Sequence, residues 1–260
     1  MGLVSPTVGI IGGTGRMGSW FSDFFESQGF NVSSAGRKTE MTPSTLAREC
    51  DVVIVSVPIA DTVEVIRELG SLVREDGLIM DLTSIKKEPL EAMLRYSRAE
   101  VLGAHPLFGP EEEGSEGQRV VVCPGRGERW LEWLIGVFEK AGVKIVKMSP
   151  EKHDRLMGLI QGANHFSNLA LALCAERSGF CIEELKDCST RSFSQRIDRI
   201  KSMLKQPPEL FESLIMDNPE AGKFIEQYHD SANKMIRVTR ERDREAFKEI
   251  FNSLKDFLET

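Results

Sequence analysis

Residues 7–29, "TVGIIGGTGRMGSWFSDFFESQG", decide the fold. A short β-branched run, TVGII (7–11), gives way to Gly12, Gly13, Gly15 and Gly18, and the chain then runs without a break into WFSDFF. Glycines this dense lose conformational entropy on folding, so a close backbone approach or a ligand must offset that loss. Met17, Trp20, Phe21, Phe24 and Phe25 form one helical stripe, which Gly29 closes. Strand, glycine turn and amphipathic helix therefore follow one another.

Gly13-Thr14-Gly15-Arg16-Met17-Gly18 fits G-x-G-x-x-G, and its position between a strand and a helix is the context that motif needs. It reads as a dinucleotide turn whose N–H groups and helix dipole hold a pyrophosphate; a plain strand–helix turn is the alternative. Gly12 departs from the commonest spacing, which leaves open which glycine plays which part. Expected cofactor contacts are Gly12, Gly13, Thr14, Gly15, Arg16, Met17 and Gly18, with Val57 and Pro58 at the end of the third strand. Specificity is set at the end of the second strand, FNVSSAG (30–36), where NAD binders carry an acid for the ribose 2′-hydroxyl. Here the stretch is SSAGRK, and Ser34, Arg37 and Lys38 suit a 2′-phosphate. NADP is the expected cofactor, with NAD possible, unless Arg37 and Lys38 only form a solvated loop.

Outward from this unit, strand patterns alternate with helical ones. CDVVIVSVP (50–58), GLIMDLTS (77–84), EVLGAHP (100–106), QRVVVCPG (118–125) and VKIVKMS (143–149) read as strands, and the amphipathic segments between them as helices. Right-handed crossovers and a doubly wound, Rossmann-type sheet are implied. After Pro150 no strand signal appears: a helical pattern of nearly thirty residues is followed by others at about 182–204, 208–217, 219–241 and 243–258. The fold class is α/β, with a dinucleotide-binding domain over 1–150 and an all-α domain over 151–260.

Composition narrows the partners. Of 260 residues, 41% are hydrophobic and 28% charged, as in globular domains. A net charge of −7 argues against broad nucleic-acid binding, so an anionic substrate needs a local basic pocket. No apolar run approaches the ~20 residues of a membrane span, and the N-terminus lacks the pattern of a signal peptide. Five cysteines without metal-ligand spacing read as reduced thiols of a cytoplasmic protein with no metal site.

Four more stretches combine with the glycine turn: VIVSVPIADTVEVI (53–66), MDLTSIKKEPLEAM (80–93), GAHPLFGP (103–110) and SPEKHDRLMGLIQGANHF (149–166). Together they resemble the prephenate dehydrogenases of tyrosine biosynthesis, especially the archaeal type, from about residue 7 to 258. The resemblance implies a helical domain that binds substrate and dimerises. It also implies oxidative decarboxylation of prephenate: hydride leaves C4 for the nicotinamide and carbon dioxide leaves C1, giving 4-hydroxyphenylpyruvate. Some family members are fused to chorismate mutase or prephenate dehydratase, for which this sequence has no room. Arogenate or an aminodeoxy analogue is the alternative substrate, and a non-catalytic NADP sensor the alternative of another class.

His105 fits the base, since it follows a strand at the carboxyl edge where such sites lie. Ser84 resembles the family's active-site serine, and could equally be the N-cap of a helix at Ile85. His165 resembles the second family histidine, near the substrate carboxylates, and Gln161 lies one helical turn before it. His153, beside Asp154, reads as a structural hydrogen-bonding residue, and His229 as a surface one. The family's Gly-Arg that grips the substrate carboxylate is not matched: Ser202 stands where that arginine would be. Arg191, Arg196 and Arg199 are the substitutes, Arg199 being nearest in sequence, although their spacing is also that of an ordinary basic helix face.

Overall fold

The computed structural model describes residues 5–36 and 39–259. The first half builds β1 (Thr7–Ile11), α1 (Arg16–Ser27), β2 (Asn31–Ala35), α2 (Pro43–Glu49), β3 (Val52–Val55) and α3 (Ile59–Leu69). It continues through β4 (Leu78–Asp81), α4 (Lys87–Tyr96), β5 (Glu100–Pro106), β6 (Arg119–Arg126), α5 (Arg129–Lys140) and β7 (Lys144–Lys147). The seven strands form one sheet in the order β2-β1-β3-β4-β5-β6-β7.

The central runs are apolar at nearly every position because both faces of the sheet are covered. Val52, Ile54, Leu78, Met80, Leu102 and Ala104 face the aromatic layer of α1 and α5, including Phe21, Phe25, Leu134 and Phe138. Their neighbours Val53, Val55, Ile79 and Val101 face Leu46, Ile66, Leu90 and Met93 on α2, α3 and α4. Period-2 alternation thus sorts an unbroken hydrophobic string into two cores.

The sheet half differs from the sequence reading in the sense of β6 and in the presence of α2. Strand β6 runs antiparallel to β5, with Cys123 opposite Gly103 and Val121 opposite His105. No crossover helix lies between them, only the loop 107–118, so a strand return replaces the right-handed crossover there. The sequence reading also passed over α2, whose signal is Thr42 accepting from the Thr45 N–H with Pro43 at the first helical position.

Only helices follow β7 among the described residues. The long helix is α6 (Pro150–Met157), a π-helical stretch (Gly158–Ala163) and α7 (Asn164–Glu176). Then come α8 (Ile182–Asp187), α9 (Arg191–Met203), α10 (Pro208–Glu212), a second π-helical stretch (Ser213–Asp217), α11 (Pro219–Glu241) and α12 (Arg244–Glu259). The single helix expected at 182–204 is broken because the Thr190 side chain accepts from the Phe193 N–H, starting a new helix. Glycine explains how α11 docks on the first π stretch. A Cβ at Gly158 would lie 2.8 Å from the Glu220 carbonyl carbon, and one at Gly162 would lie 2.5 Å from the Ala221 Cβ.

Candidate active site

The glycine turn has the shape of a phosphate cradle. Gly12 has φ +83° and its Cα presses on the Ser56 carbonyl, where a Cβ would clash. A Cβ on that glycine would also lie 3.2 Å from Val57 Cγ1, so the turn leans on the segment that carries Val57 and Pro58. Helix α1 begins with Gly15 as N-cap, no side-chain cap and no acid in its first turn. Its first N–H groups are therefore open to an anion, at the point between β1 and β3 where the strand order reverses. The pocket fits a dinucleotide pyrophosphate.

Other expected cofactor residues divide. Ser34 Oγ lies 3.1 Å from Ser22 Oγ and directly beneath Gly13, so it props the turn from behind. Arg16 pairs with Glu111 at 2.5 Å, and the Trp20 indole N–H donates to the Glu112 carbonyl at 3.0 Å, bringing the 107–118 loop to the turn. Arg37 and Lys38 lie outside the described residues.

Three strand spacings away, about 14 Å across the same sheet edge, β5 delivers His105. Its Nδ1 lies 2.8 Å from His153 Nε2, and His153 Nδ1 lies 2.7 Å from Asp154 Oδ1. All three residues are buried. The Lys86 N–H donates to Asp154 Oδ1 at 2.8 Å and the Lys87 N–H to Oδ2 at 2.9 Å. With backbone donors on both oxygens, the carboxylate is the acceptor in its contact with His153. The His153 Nδ1–H therefore donates, leaving Nε2 with a lone pair. His105 must then donate its Nδ1–H to that nitrogen, which leaves its own Nε2 as an acceptor.

Burial holds His105 well below its ordinary 6.5, and the His153 and Lys86 charges push the same way. Burial also lowers His153, with Asp154 opposing it. Both rings are thus neutral at neutral pH, and the array ends in a proton acceptor. A hydride-transfer site with a base on its substrate side needs those two parts together.

Comparison with known proteins places the whole chain. The profile for "Prephenate dehydrogenase, nucleotide-binding domain" matches residues 28–147, and that for "Prephenate dehydrogenase, dimerization domain" matches 149–253. The chain belongs to the prephenate dehydrogenase family. It is 33% identical to a probable arogenate/prephenate dehydrogenase of Methanocaldococcus jannaschii, over 94% of this chain and 59% of that protein. It is 32% identical to the T-protein of Haemophilus influenzae, over 95% and 66%. The chain thus spans about three-fifths to two-thirds of the length of these curated relatives. A crystal structure of prephenate dehydrogenase from A. aeolicus, in complex with hydroxyphenyl propionate and NAD+, shares the fold. Its TM-score is 0.79 at 22% identity, covering 100% of this chain and 99% of that one. Synechocystis arogenate dehydrogenase gives 0.78 at 16% identity, covering 97% and 99%.

The rest of this family member's site is less saturated. Ser84 lies past the end of β4, beside the edge that carries His105. The N-cap of α4 is Lys86, so the capping alternative for Ser84 falls away. Gln161 sits in the first π stretch, one turn before His165, as expected from their spacing. Gln161 Oε1 and His165 Nδ1 are both buried without a hydrogen-bond partner among the described residues, and burial lowers the His165 pKa. Of the three arginines, Arg196 is the one the fold brings to α7, at 3.4 Å from both Asn168 Oδ1 and Ser167 Oγ. Arg199, nearest in sequence to the missing arginine, instead bonds the Gln195 carbonyl of its own helix at 3.3 Å. Arg191 is exposed at the start of α9.

Sequence reasoning missed the supports of His105. His153 is structural in the sense expected, but its hydrogen bond goes to His105 itself. Lys86, Asp81 and Asp154 were not singled out. The readable signal was an adjacent His-Asp pair just inside a Ser149-Pro150 helix start.

Proposed function

We propose that this chain is an NAD(P)-dependent dehydrogenase that oxidatively decarboxylates prephenate, with NADP preferred. The observation that carries the reading is the Asp154–His153–His105 array, which presents an unprotonated Nε2 at the sheet edge shared with the glycine turn. When bound, the nicotinamide supplies the hydride acceptor. Gly12 to Gly18 hold the pyrophosphate, and the α1 N-terminus neutralises part of its charge. His105 Nε2 takes the C4 hydroxyl proton as the C4–H bond breaks, so a carbonyl forms where an alcohol stood. Loss of carbon dioxide from C1 then leaves an aromatic ring. Ser84 orients the hydroxyl, while Gln161, His165 and Arg196 serve the substrate carboxylates.

NADP preference rests on the end of β2. Where an NAD binder projects a carboxylate, this chain has Gly36, against which Thr14 Oγ1 packs so closely that a Cβ would lie 2.7 Å away. Arg37 and Lys38 follow it in sequence. A homodimer through the helical half is part of the same reading. Helix α7 buries none of its 13 residues, and α12 exposes Phe247, Phe251 and Leu254.

The test is spectrophotometric: pure protein with NADP or NAD, and with prephenate or arogenate, read by the absorbance of the reduced nicotinamide. Turnover of prephenate is expected. Turnover of arogenate alone reassigns the substrate, and none with any pairing overturns the reading. Replacing Arg37 with Ala is expected to weaken NADP much more than NAD; equal losses would remove the 2′-phosphate contact.

A further inference from the structure

We propose that Lys86, through its buried pair with Asp81, is a positioning residue for His105, holding the strand and the charge beside the ring so that Nε2 stays an unprotonated acceptor. The proposal rests on the reading of His105 as proton acceptor.

Lys86 touches every layer around that histidine. Its ammonium contacts Asp81 Oδ2 on β4 and donates to the Ala104 carbonyl, one residue before His105, at 2.8 Å. Its backbone N–H is one of the donors holding Asp154. Its stem crosses β5 at Gly103, where a Cβ would lie 3.1 Å from Lys86 Cδ. One residue therefore ties the end of β4, the strand that bears the base and the helix that bears the supporting dyad.

The side chains of Lys86 and Asp81 are 0% exposed. A buried ion pair is costly to desolvate, and well-packed apolar residues often replace one without loss of stability. Stability alone is thus a poor account of this pair. Positive charge beside two imidazoles has a direct consequence: it disfavours putting a second proton on either ring. The groups acting directly on His105 are His153 from α6 and Lys86 from the loop before α4; behind them, Asp154 from α6 and Asp81 from β4 act on His153, and Lys86, Asp81, Asp154 and Glu151 act on Cys123 from β6. Burial pushes the Cys123 thiol up to about 12, so it stays neutral and Lys86 supplies the positive charge of this group. Burial lowers Lys86 itself, and the Asp81 carboxylate opposes that fall.

Two readouts test the proposal. Histidine-selective 15N NMR of the free protein reports the tautomer and titration of the four imidazoles without any substrate. The pH profile of kcat with NADP and prephenate reports the base in turnover. In wild type the expected tautomer at His105 is Nδ1–H. In Lys86→Met the His105 titration and the acid limb of kcat are both expected to move up by about one pH unit, tenfold in proton affinity. Lys86→Arg, which keeps the charge, should leave the limb in place. Should Lys86→Met fail to fold, Lys86→Met/Asp81→Asn removes both charges together, and a smaller upward shift is expected, because the Asp81 carboxylate acts on His153 in the opposite sense to Lys86. A folded variant with lowered melting temperature but wild-type titration and limb would make Lys86 merely structural and overturn the proposal. If the titration shifts while wild type turns over no substrate, the proposed reaction fails and the positioning role stands.

Discussion

The two ends of the candidate site are built on opposite principles. Around His105 the ring is oriented by partnered groups across three elements, His153, Asp154, the Lys86 and Lys87 amides and the Lys86 ammonium, and only Asp81 Oδ1, behind Lys86, is buried there with no partner among the described residues. Two turns further along the same long helix, Gln161 Oε1 and His165 Nδ1 are buried and have none among the described residues. Unpartnered buried polar atoms are expensive, so a fold keeps them where something else supplies the bond. On the proposed reading, the first end is preorganised for chemistry and the second is completed by the substrate. Between them the helix passes through a π stretch, a feature frequent at functional sites.

The largest break in this contrast is expected at the saturated end. His105→Asn removes the acceptor and should lower kcat by about 10²-fold or more, the scale of a lost general base. NADP affinity, measured by fluorescence titration, should be unchanged because the glycine turn lies elsewhere on the sheet edge. Retained turnover would take His105 out of the mechanism.

Asp154→Asn attacks the same end through its support. The Lys86 and Lys87 amides reach different oxygens of Asp154, so a carboxamide leaves one of these N–H groups facing an NH₂ group. The loss should be about 1–3 kcal/mol in urea unfolding, with turnover reduced because His153 no longer has a fixed acceptor. Unfolding unchanged from wild type would mean that the two amides find other partners.

Acid should loosen this end as well. His105 and His153 bind protons less readily folded than unfolded, so the unfolded chain takes up more protons below 6.5. Stability is therefore full above that pH and is lost as pH falls from 6.5 toward the lowered folded values. The melting temperature of wild type should drop over that range, and that of His153→Asn should drop less.

How much of this was visible in the chain differs between the two ends. The strands from β1 to β7 were legible because buried strands are short apolar runs and the glycine turn sets their direction. The sense of β6 was not, since QRVVVCPG has the same pattern run either way, and only pairing to β5 fixes it. His105 and the glycine turn stood out by local motif. The importance of Lys86 did not, because KK before a helix looks like a solvated pair, and nothing local shows that the first lysine turns inward over Gly103 while Lys87 stays exposed. Choosing among Arg191, Arg196 and Arg199 likewise needed the packing of α9 on α7.

The smallest effect on turnover, and the sharpest on the contrast itself, belongs to Gln161. Gln161→Met keeps the approximate volume and removes a carboxamide that makes no hydrogen bond among the described residues. No native bond is lost, and an unsatisfied acceptor is taken out of the interior, so the melting temperature should hold or rise. If the pocket is completed by substrate, KM for prephenate should rise about tenfold, the worth of one hydrogen bond near the upper end of the usual range. The kcat should move little, because the reacting C4 centre lies with His105. A fall in melting temperature with KM unchanged would make Gln161 a packing residue, and the unsaturated end would then be a property of the fold rather than of its ligand.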